Sequence, residues 1–285
     1  MIIDCHTHIF PEKMRKERET FCKRDGGFSS IYKDSKAKLA SADDLIESMD
    51  KWGVDRSVIC GFSWNEPDLC SLHNQYLMES ASRYRDRLIV FLSLSLSDPE
   101  WSGKELECRV KEGAKGVGEI AFYGQAMTSR DIQLMKPILT LMEDQGIPLL
   151  MHTNETLGHN YPGKGMTPLE RFYELILACP RLPVLLAHWG GGLPFYELMP
   201  EVATVMANVY YDTAASPFLF SRKIYAVVRE IVGPGKILFG TDFPLLSPKR
   251  YFRELEGSGL SHEDQARILG LNFSNLLRLS SETGR

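Results

Sequence analysis

Residues 1–10 read MIIDCHTHIF, a short apolar run interrupted by Asp4, His6 and His8. Side chains alternate along a strand, so regular geometry puts these three polar groups on one side and Cys5 and Thr7 on the other. Burying three polar groups without partners is costly. A metal bound by both imidazoles removes that cost, because a neutral ring nitrogen is a good zinc ligand. A surface strand with two solvated histidines is the competing reading of this stretch taken alone.

Seven more apolar, often β-branched runs follow, at 56–62, 88–96, 114–122, 147–153, 182–190, 208–215 and 236–243. Near-continuous apolar strands imply burial on both faces, as in a parallel sheet. Amphipathic segments lie between them. Ser41 and Asp44 predict a capped helix over 42–52 that ends at Gly53. Ser129 or Asp131 opens another that closes at Gly146, with Pro137 either kinking it or lying in its first turns. Further helices are expected over 167–179, 193–207, 221–232, 261–270 and 273–279. Eight strand–helix units in about 250 residues fit an α/β fold of the (β/α)8 TIM-barrel type, one domain over 1–285. An open doubly wound sheet would carry a Gly-rich phosphate loop after its first strand. Here that strand runs into HTHIFPEK, which has no glycine. The 11–40 segment is long for a connection, net basic, and contains DGG at 25–27. Following a barrel strand, it belongs on the C-terminal face and is a candidate lid.

The composition narrows the functional classes. Of 285 residues, 44% are hydrophobic and 25% charged, with a net charge of −4. No basic face points to a nucleic acid. No apolar stretch reaches the ~18 residues of a membrane span, and the N-terminus lacks the pattern of a signal peptide. Six cysteines without paired spacing read as reduced thiols of a cytoplasmic protein. The expected partner is a small-molecule substrate, without nucleic acid or membrane; a homodimer remains open.

Other ionisable residues also stand at the ends of apolar strands: Glu119 in GVGEI, His152 in LLMHT, His188 in LLAHWGG and Asp242 in LFGTDFP. Strand C-termini of this fold converge on one ring, where catalytic residues collect. With His6 and His8 they make six candidate metal ligands. His73, His159 and His262 fall in helices or loops and read as surface residues. Asp4 reads either as a support for a ligand histidine or the strand-eight loop, or as a partner of rim backbone.

On DCHTH (4–8), those four motifs and ILGLNFSNLLRL (268–279), the chain resembles the amidohydrolase superfamily. The resemblance is to its amidohydrolase-related branch, which holds metal-dependent hydrolases and proteins like aminocarboxymuconate-semialdehyde decarboxylase. It implies that His6, His8, His152 and Asp242 are metal ligands. His188 would act on water or substrate in a one-metal site, or bind the second ion of a two-metal site. Many two-metal relatives bridge their ions with a strand-four lysine; Glu119 stands there instead, as a bridge or as a hydrogen-bonding support. The cofactor expected is a divalent metal, zinc first and manganese second, as one ion or two. The first functional expectation is hydrolysis of a C–N or C–O bond in a small molecule by a metal-activated water, with Asp242 and His188 as catalytic proton carriers. The alternative is metal-dependent, non-oxidative decarboxylation of a small carboxylic acid, which would use the same ligands. A barrel that binds metal without turnover is the third. Arg15, Arg18, Lys23 and Arg24 could meet a carboxylate or be solvated loop charge. Trp64, Tyr123, Trp189 and Phe243 could shape a pocket or simply pack.

Overall fold

In the computed structural model, which describes residues 1–279, eight strands form one parallel sheet in chain order. They are β1 (Ile3–His8), β2 (Arg56–Cys60), β3 (Leu88–Leu92), β4 (Gly116–Ile120), β5 (Leu149–Met151), β6 (Val184–Leu186), β7 (Val209–Asp212) and β8 (Ile237–Leu238). The ring closes where the chain beyond β8 meets β1: Cys5 N donates to Phe239 O, Asp242 N to His6 O and His8 N to Phe243 O, at 2.7–2.9 Å. This is the (β/α)8 barrel that the alternation predicts.

Two apolar layers hold it. Ile3, Cys5, Val58, Cys60, Ile89, Phe91, Leu150, Leu185 and Leu238 cluster together, and Phe273 of the C-terminal helix Asn272–Leu276 joins them. Ile59, Val90, Leu92, Val117, Leu149, Met151, Val184 and Leu186 belong to the larger cluster shared with the helices. The alternation within β2 and β3 is the strand period sorting residues between these layers.

The helix Ala42–Trp52 has the expected Ser41–Asp44 capping box and ends at Gly53 in the left-handed region. The helix Ser129–Gln145 opens at Ser129, capped by Thr128 with Asp131, and runs through Pro137. The apolar pattern does not mark the helices Pro67–Arg83 and Pro99–Lys111, each opened by proline in its first turn. The helix expected over 193–207 is broken. Trp189, Gly190, Gly191 and Gly192 take positive φ, a tight 3-10 stretch follows, and a short helix runs only over Pro200–Val205. Three consecutive glycines and two prolines explain the failure of the periodic reading.

The 11–40 segment forms three short helices, Glu12–Lys16, Arg18–Arg24 and Gly26–Tyr32. Met14, Phe21 and Phe28 are buried with Phe10, Phe62, Trp64, Leu69 and Cys70, which anchors the segment over one side of the barrel mouth. No helix among the described residues is long and apolar enough to cross a membrane.

Candidate metal centre

Two irregularities in the sheet aim the polar residues. In β1 the pairing shifts: Asp4 stands opposite Ser57, but Thr7 stands opposite Ile59. Ser57 and Ile59 share a face of β2, so Asp4 and Thr7 share a face as well, with an extra residue between them. His8 pairs with Cys60 and faces the other way. Asp4 is thereby separated from His8, a correction to the regular alternation assumed from sequence. In β4 the pairing shifts between Val117 and Ile120, so the second bulge carries Glu119. Gly118 has φ +143°, and a Cβ there would lie 2.6 Å from the Leu150 Cβ, so the bulge requires glycine.

All six candidate ligands come together. His6 Nε2 and His8 Nε2 are 3.0 Å apart. Glu119 lies 3.6 Å from each of these nitrogens, and Asp242 Oδ1 lies 3.8 and 3.5 Å away. On its other side Glu119 Oε1 is 3.0 Å from His152 Nδ1 and 3.8 Å from His188 Nε2. Those two imidazoles approach to 3.2 Å. The triads His6–His8–Glu119 and Glu119–His152–His188 each hold their donor atoms within 4.8 Å. Because Glu119 belongs to both, the donors admit one ion or two that share its carboxylate.

The hydrogen bonds around the ring test whether a cation fits. His6 Nδ1–H donates to Asp212 Oδ2 at 2.8 Å, which leaves Nε2 with a lone pair. His188 Nδ1–H donates to Ala214 O at 3.0 Å, and His152 Nε2–H donates to Gly163 O at 2.8 Å. Each ring is thus fixed from outside with its unprotonated nitrogen turned inward, toward two carboxylates. Lone pairs facing one another at 3.0–3.8 Å repel unless positive charge sits among them. Imidazole nitrogens with carboxylate oxygens suit zinc or manganese. The residues fit a divalent ion.

The titration directions agree. Burial works against charge on His6, yet Glu119 and Asp212 outweigh it and hold its pKa well above the usual imidazole value. Burial opposes charge on His152 too, and Glu119 again raises it. Burial and the neighbouring His6 push His8 down. Burial disfavours the Glu119 carboxylate, but His152 and His6 hold it well below the ordinary glutamate value. The carboxylates thus stabilise positive charge on His6 and His152, and those imidazoles stabilise the Glu119 carboxylate.

Asp212, at the end of β7, is missed by the sequence reading. Besides His6 it accepts from the backbone N–H of His188 and of Ala214, both at 2.9 Å, so one buried carboxylate orients two of the candidate ligands. Asp212 caps an apolar strand as the other candidates do, so the signal was present. Asp4 accepts from His6 N, Thr241 N and Thr241 Oγ1, and Thr241 Oγ1 accepts from Phe243 N. It thereby supports the turn that presents Asp242. Burial pushes the Asp4 carboxyl up to about 7, against the lowering effect of the Thr241 donors. His188 and Asp242 have φ of 56° and 58°, left-handed conformations that non-glycine residues adopt rarely.

The ring lies at the floor of a cavity of about 580 Å³ lined by Tyr32, Phe62, Tyr123, Phe218 and Leu245 among others. Tyr123 stacks on Phe62 with ring centroids 5.5 Å apart. Trp64, Trp189 and Phe243 do not line this cavity, and neither do Arg15, Arg18, Lys23 and Arg24; Arg24 pairs instead with Glu66 and Asp68. His73 corrects the reading of it as a surface residue. It is fully buried, with Nδ1 accepting from Phe62 N and Trp64 Nε1 and Nε2–H donating to Ile9 O. His159 is exposed on the cavity rim and His262 is exposed elsewhere.

The family model described as Amidohydrolase matches residues 3–279. The gamma-resorcylate decarboxylase of Polaromonas sp. strain JS666 is 22% identical over 290 residues, covering 84% of this chain and 87% of the relative. The 6-methylsalicylic acid decarboxylase of Penicillium expansum is 26% identical over 281 residues, covering 85% and 84%. The 5-carboxyvanillate decarboxylase of Novosphingobium aromaticivorans, solved with manganese and 4-hydroxy-3-methoxy-5-nitrobenzoic acid, superposes with a TM-score of 0.80 at 17% identity, covering 98% and 96%. The dihydroxybenzoic acid decarboxylase of Polaromonas sp. JS666, solved with manganese and the inhibitor 2-nitroresorcinol, gives 0.74 at 18% identity, covering 98% and 97%. At these identities the solved structures establish the shared fold. The relatives named are decarboxylases, which overturns C–N or C–O bond hydrolysis as the leading expectation in favour of the alternative.

Proposed function

The chain belongs to the amidohydrolase family, and from that premise we propose that it is a divalent-metal-dependent, non-oxidative decarboxylase of aromatic carboxylic acids. The observation that carries the proposal is the set of relatives named for decarboxylation of hydroxylated aromatic acids. The convergent donor ring beneath aromatic walls is chemically suited to the same work. We assign the cation to His6, His8, Glu119, His152, His188 and Asp242. When bound it supplies positive charge for the carboxylate and phenolate oxygens of a substrate. Zinc led the sequence reading, and the manganese in the similar structures gives both metals a place in the test. Six unpaired cysteines suit a reducing compartment such as the cytoplasm.

The reaction replaces a carboxylate by hydrogen. A C–H bond forms at the ring carbon, the C–C bond to the carboxylate breaks, its electron pair returns to the ring, and CO2 leaves. No oxidant is consumed. The chain must therefore deliver one proton to carbon. We assign this step to Asp242, whose side chain is 21% exposed, against 5% for Glu119. Its main chain is held by donation to His6 O at 2.9 Å. Phe62 and Tyr123 offer flat apolar surface for the substrate ring.

The test is to strip the protein of metal, reload it with manganese or zinc, and supply 2,6-dihydroxybenzoate, 6-methylsalicylate and 5-carboxyvanillate. Metal-dependent CO2 release is expected, and in D2O each product should carry one deuterium at the vacated carbon. Turnover of small lactones or amides with no CO2 from any acid would overturn the proposal.

A further inference from the structure

The cavity exceeds what a single-ring acid needs. Its volume of about 580 Å³ equals roughly 19 water-sized groups at ~30 Å³ each, whereas a dihydroxybenzoate has about 11 non-hydrogen atoms. Exposure orders the lining by depth. Glu119 is 4% exposed at the floor, while Phe218 and Leu245, in the same lining, are 51% and 49% exposed. A single ring with its carboxylate at the floor leaves this outer wall wet. Large apolar side chains gathered around one opening are an informative exposure, unlike single ones scattered over a surface. Ile31, Leu219 and Pro244 continue the same wall. These residues come from the connections that follow β1, β7 and β8, so three separate loops contribute to one apolar surface.

Charged groups flank this wall: Lys38 shares a neighbouring pocket with Pro244 and Leu245, and the Arg250 guanidinium lies 5.0 Å over the Phe218 ring. Lys36 and Lys38 outnumber Asp34 among the exposed charged lining residues. This balance draws an anion toward the opening, while the wall of Phe218, Leu219 and Leu245 offers no side-chain hydrogen-bonding group to a polar tail.

Resting on the decarboxylase reading for the direction of the carboxylate, we propose that the preferred substrate is an aromatic acid bearing an extended apolar substituent. The substituent, an alkyl chain or a second ring, lies remote from the carboxylate and covers Ile31, Phe218, Leu219 and Leu245. Each methylene buried there should tighten binding about fourfold.

Calorimetry on manganese-loaded protein tests this with ligands that cannot lose CO2: 2-nitroresorcinol and 5-pentyl-2-nitroresorcinol. The pentyl compound should bind at least tenfold more tightly. The ratio should fall below about threefold in Leu219→Trp, which fills the space, and drop in Phe218→Ala, which removes the wall. Circular dichroism and the affinity for 2-nitroresorcinol show whether each variant is folded. Equal affinities in the wild type, or an undiminished ratio in both folded variants, overturn the inference and leave the decarboxylase reading intact. If neither compound binds and no acid of the panel releases CO2, the decarboxylase reading fails and this inference with it.

Discussion

His73 and the histidines of the ring are buried in the same barrel and do opposite things. His73 accepts at Nδ1 from Phe62 N and Trp64 Nε1 and donates from Nε2 to Ile9 O. Every polar atom of the ring has a protein partner, and the tautomer is set. His6, His152 and His188 each have one nitrogen tied to a protein oxygen, while the other faces more nitrogens and carboxylates. Burial alone does not separate a structural histidine from a ligand. What separates them is whether the second ring nitrogen finds a donor or finds another lone pair.

The largest effect expected from this contrast is in metal retention. Changing His6 and His8 together to alanine removes both nitrogens on one side of Glu119. Metal retained after dialysis should drop from stoichiometric to background, measured by inductively coupled plasma mass spectrometry, with a barrel-like circular dichroism spectrum preserved. Wild-type metal content in that variant would break the distinction. His73→Ala should do the reverse. It strands Phe62 N, Trp64 Nε1 and Ile9 O and opens a cavity, at a cost of about 4 kcal/mol. Metal bound per folded chain should stay unchanged. The readouts are urea denaturation and metal content of the folded fraction.

His73 also carries a pH signature. Burial depresses its pKa from 6.5 to about 4. The unfolded chain takes up a proton below about pH 6.5 that the folded site refuses until about pH 4. The contribution of His73 is therefore complete above pH 6.5 and declines as the pH falls to 4, by about 3 kcal/mol. Denaturation midpoints of wild type and His73→Ala should converge over that window. Parallel curves would mean that the ring is not held neutral.

The same contrast shows where the sequence could be read and where it could not. Eight strands and six ionisable residues at their ends are patterns of residue type along the chain, and type is visible in a sequence. The bulges in β1 and β4 are not, because a register shift depends on the partner strand, and regular alternation wrongly grouped Asp4 with His8. His73 was misplaced because its partners come from Ile9, Phe62 and Trp64, so its burial is a property of packing between elements. Asp212 was overlooked although it ends its strand as Asp242 ends the eighth run. The helix expected over 193–207 is broken because the consecutive glycines at 190–192 favour left-handed turns over the periodic helix that the apolar residues suggest.

Asp212 stands between the two kinds of histidine, since it gives His6 the one outside bond that makes Nε2 a ligand. Asp212→Asn keeps the shape but loses the charge, and its amide competes to donate to Nδ1. A tenfold to hundredfold loss of metal affinity is expected, about 1.4–2.7 kcal/mol, measured by competition with a chelating dye. A variant with unchanged affinity would mean that the inward nitrogen needs no carboxylate behind it.

The smallest effect should come from Tyr251, one step farther out. Its buried hydroxyl donates to Thr241 O at 2.7 Å and accepts from Ala215 N at 3.0 Å. Thr241 precedes Asp242, and Ala215 follows Ala214, whose carbonyl holds His188. Ala215 and Asp242 both have positive φ, 55° and 58°, so one hydroxyl joins two strained turns, one presenting Asp242 and the other holding His188 through the Ala214 carbonyl. Tyr251→Phe removes those two bonds and little volume, so stability should fall by about 1–2 kcal/mol. If the hydroxyl positions ligands, metal affinity should fall as well, by a few-fold, and Asp212→Asn combined with Tyr251→Phe should lose less than the sum of the single changes. If it serves only packing, denaturation will register the change while the dye competition curve overlays that of the wild type. The ring would then owe its geometry to Asp212 and the strand ends alone.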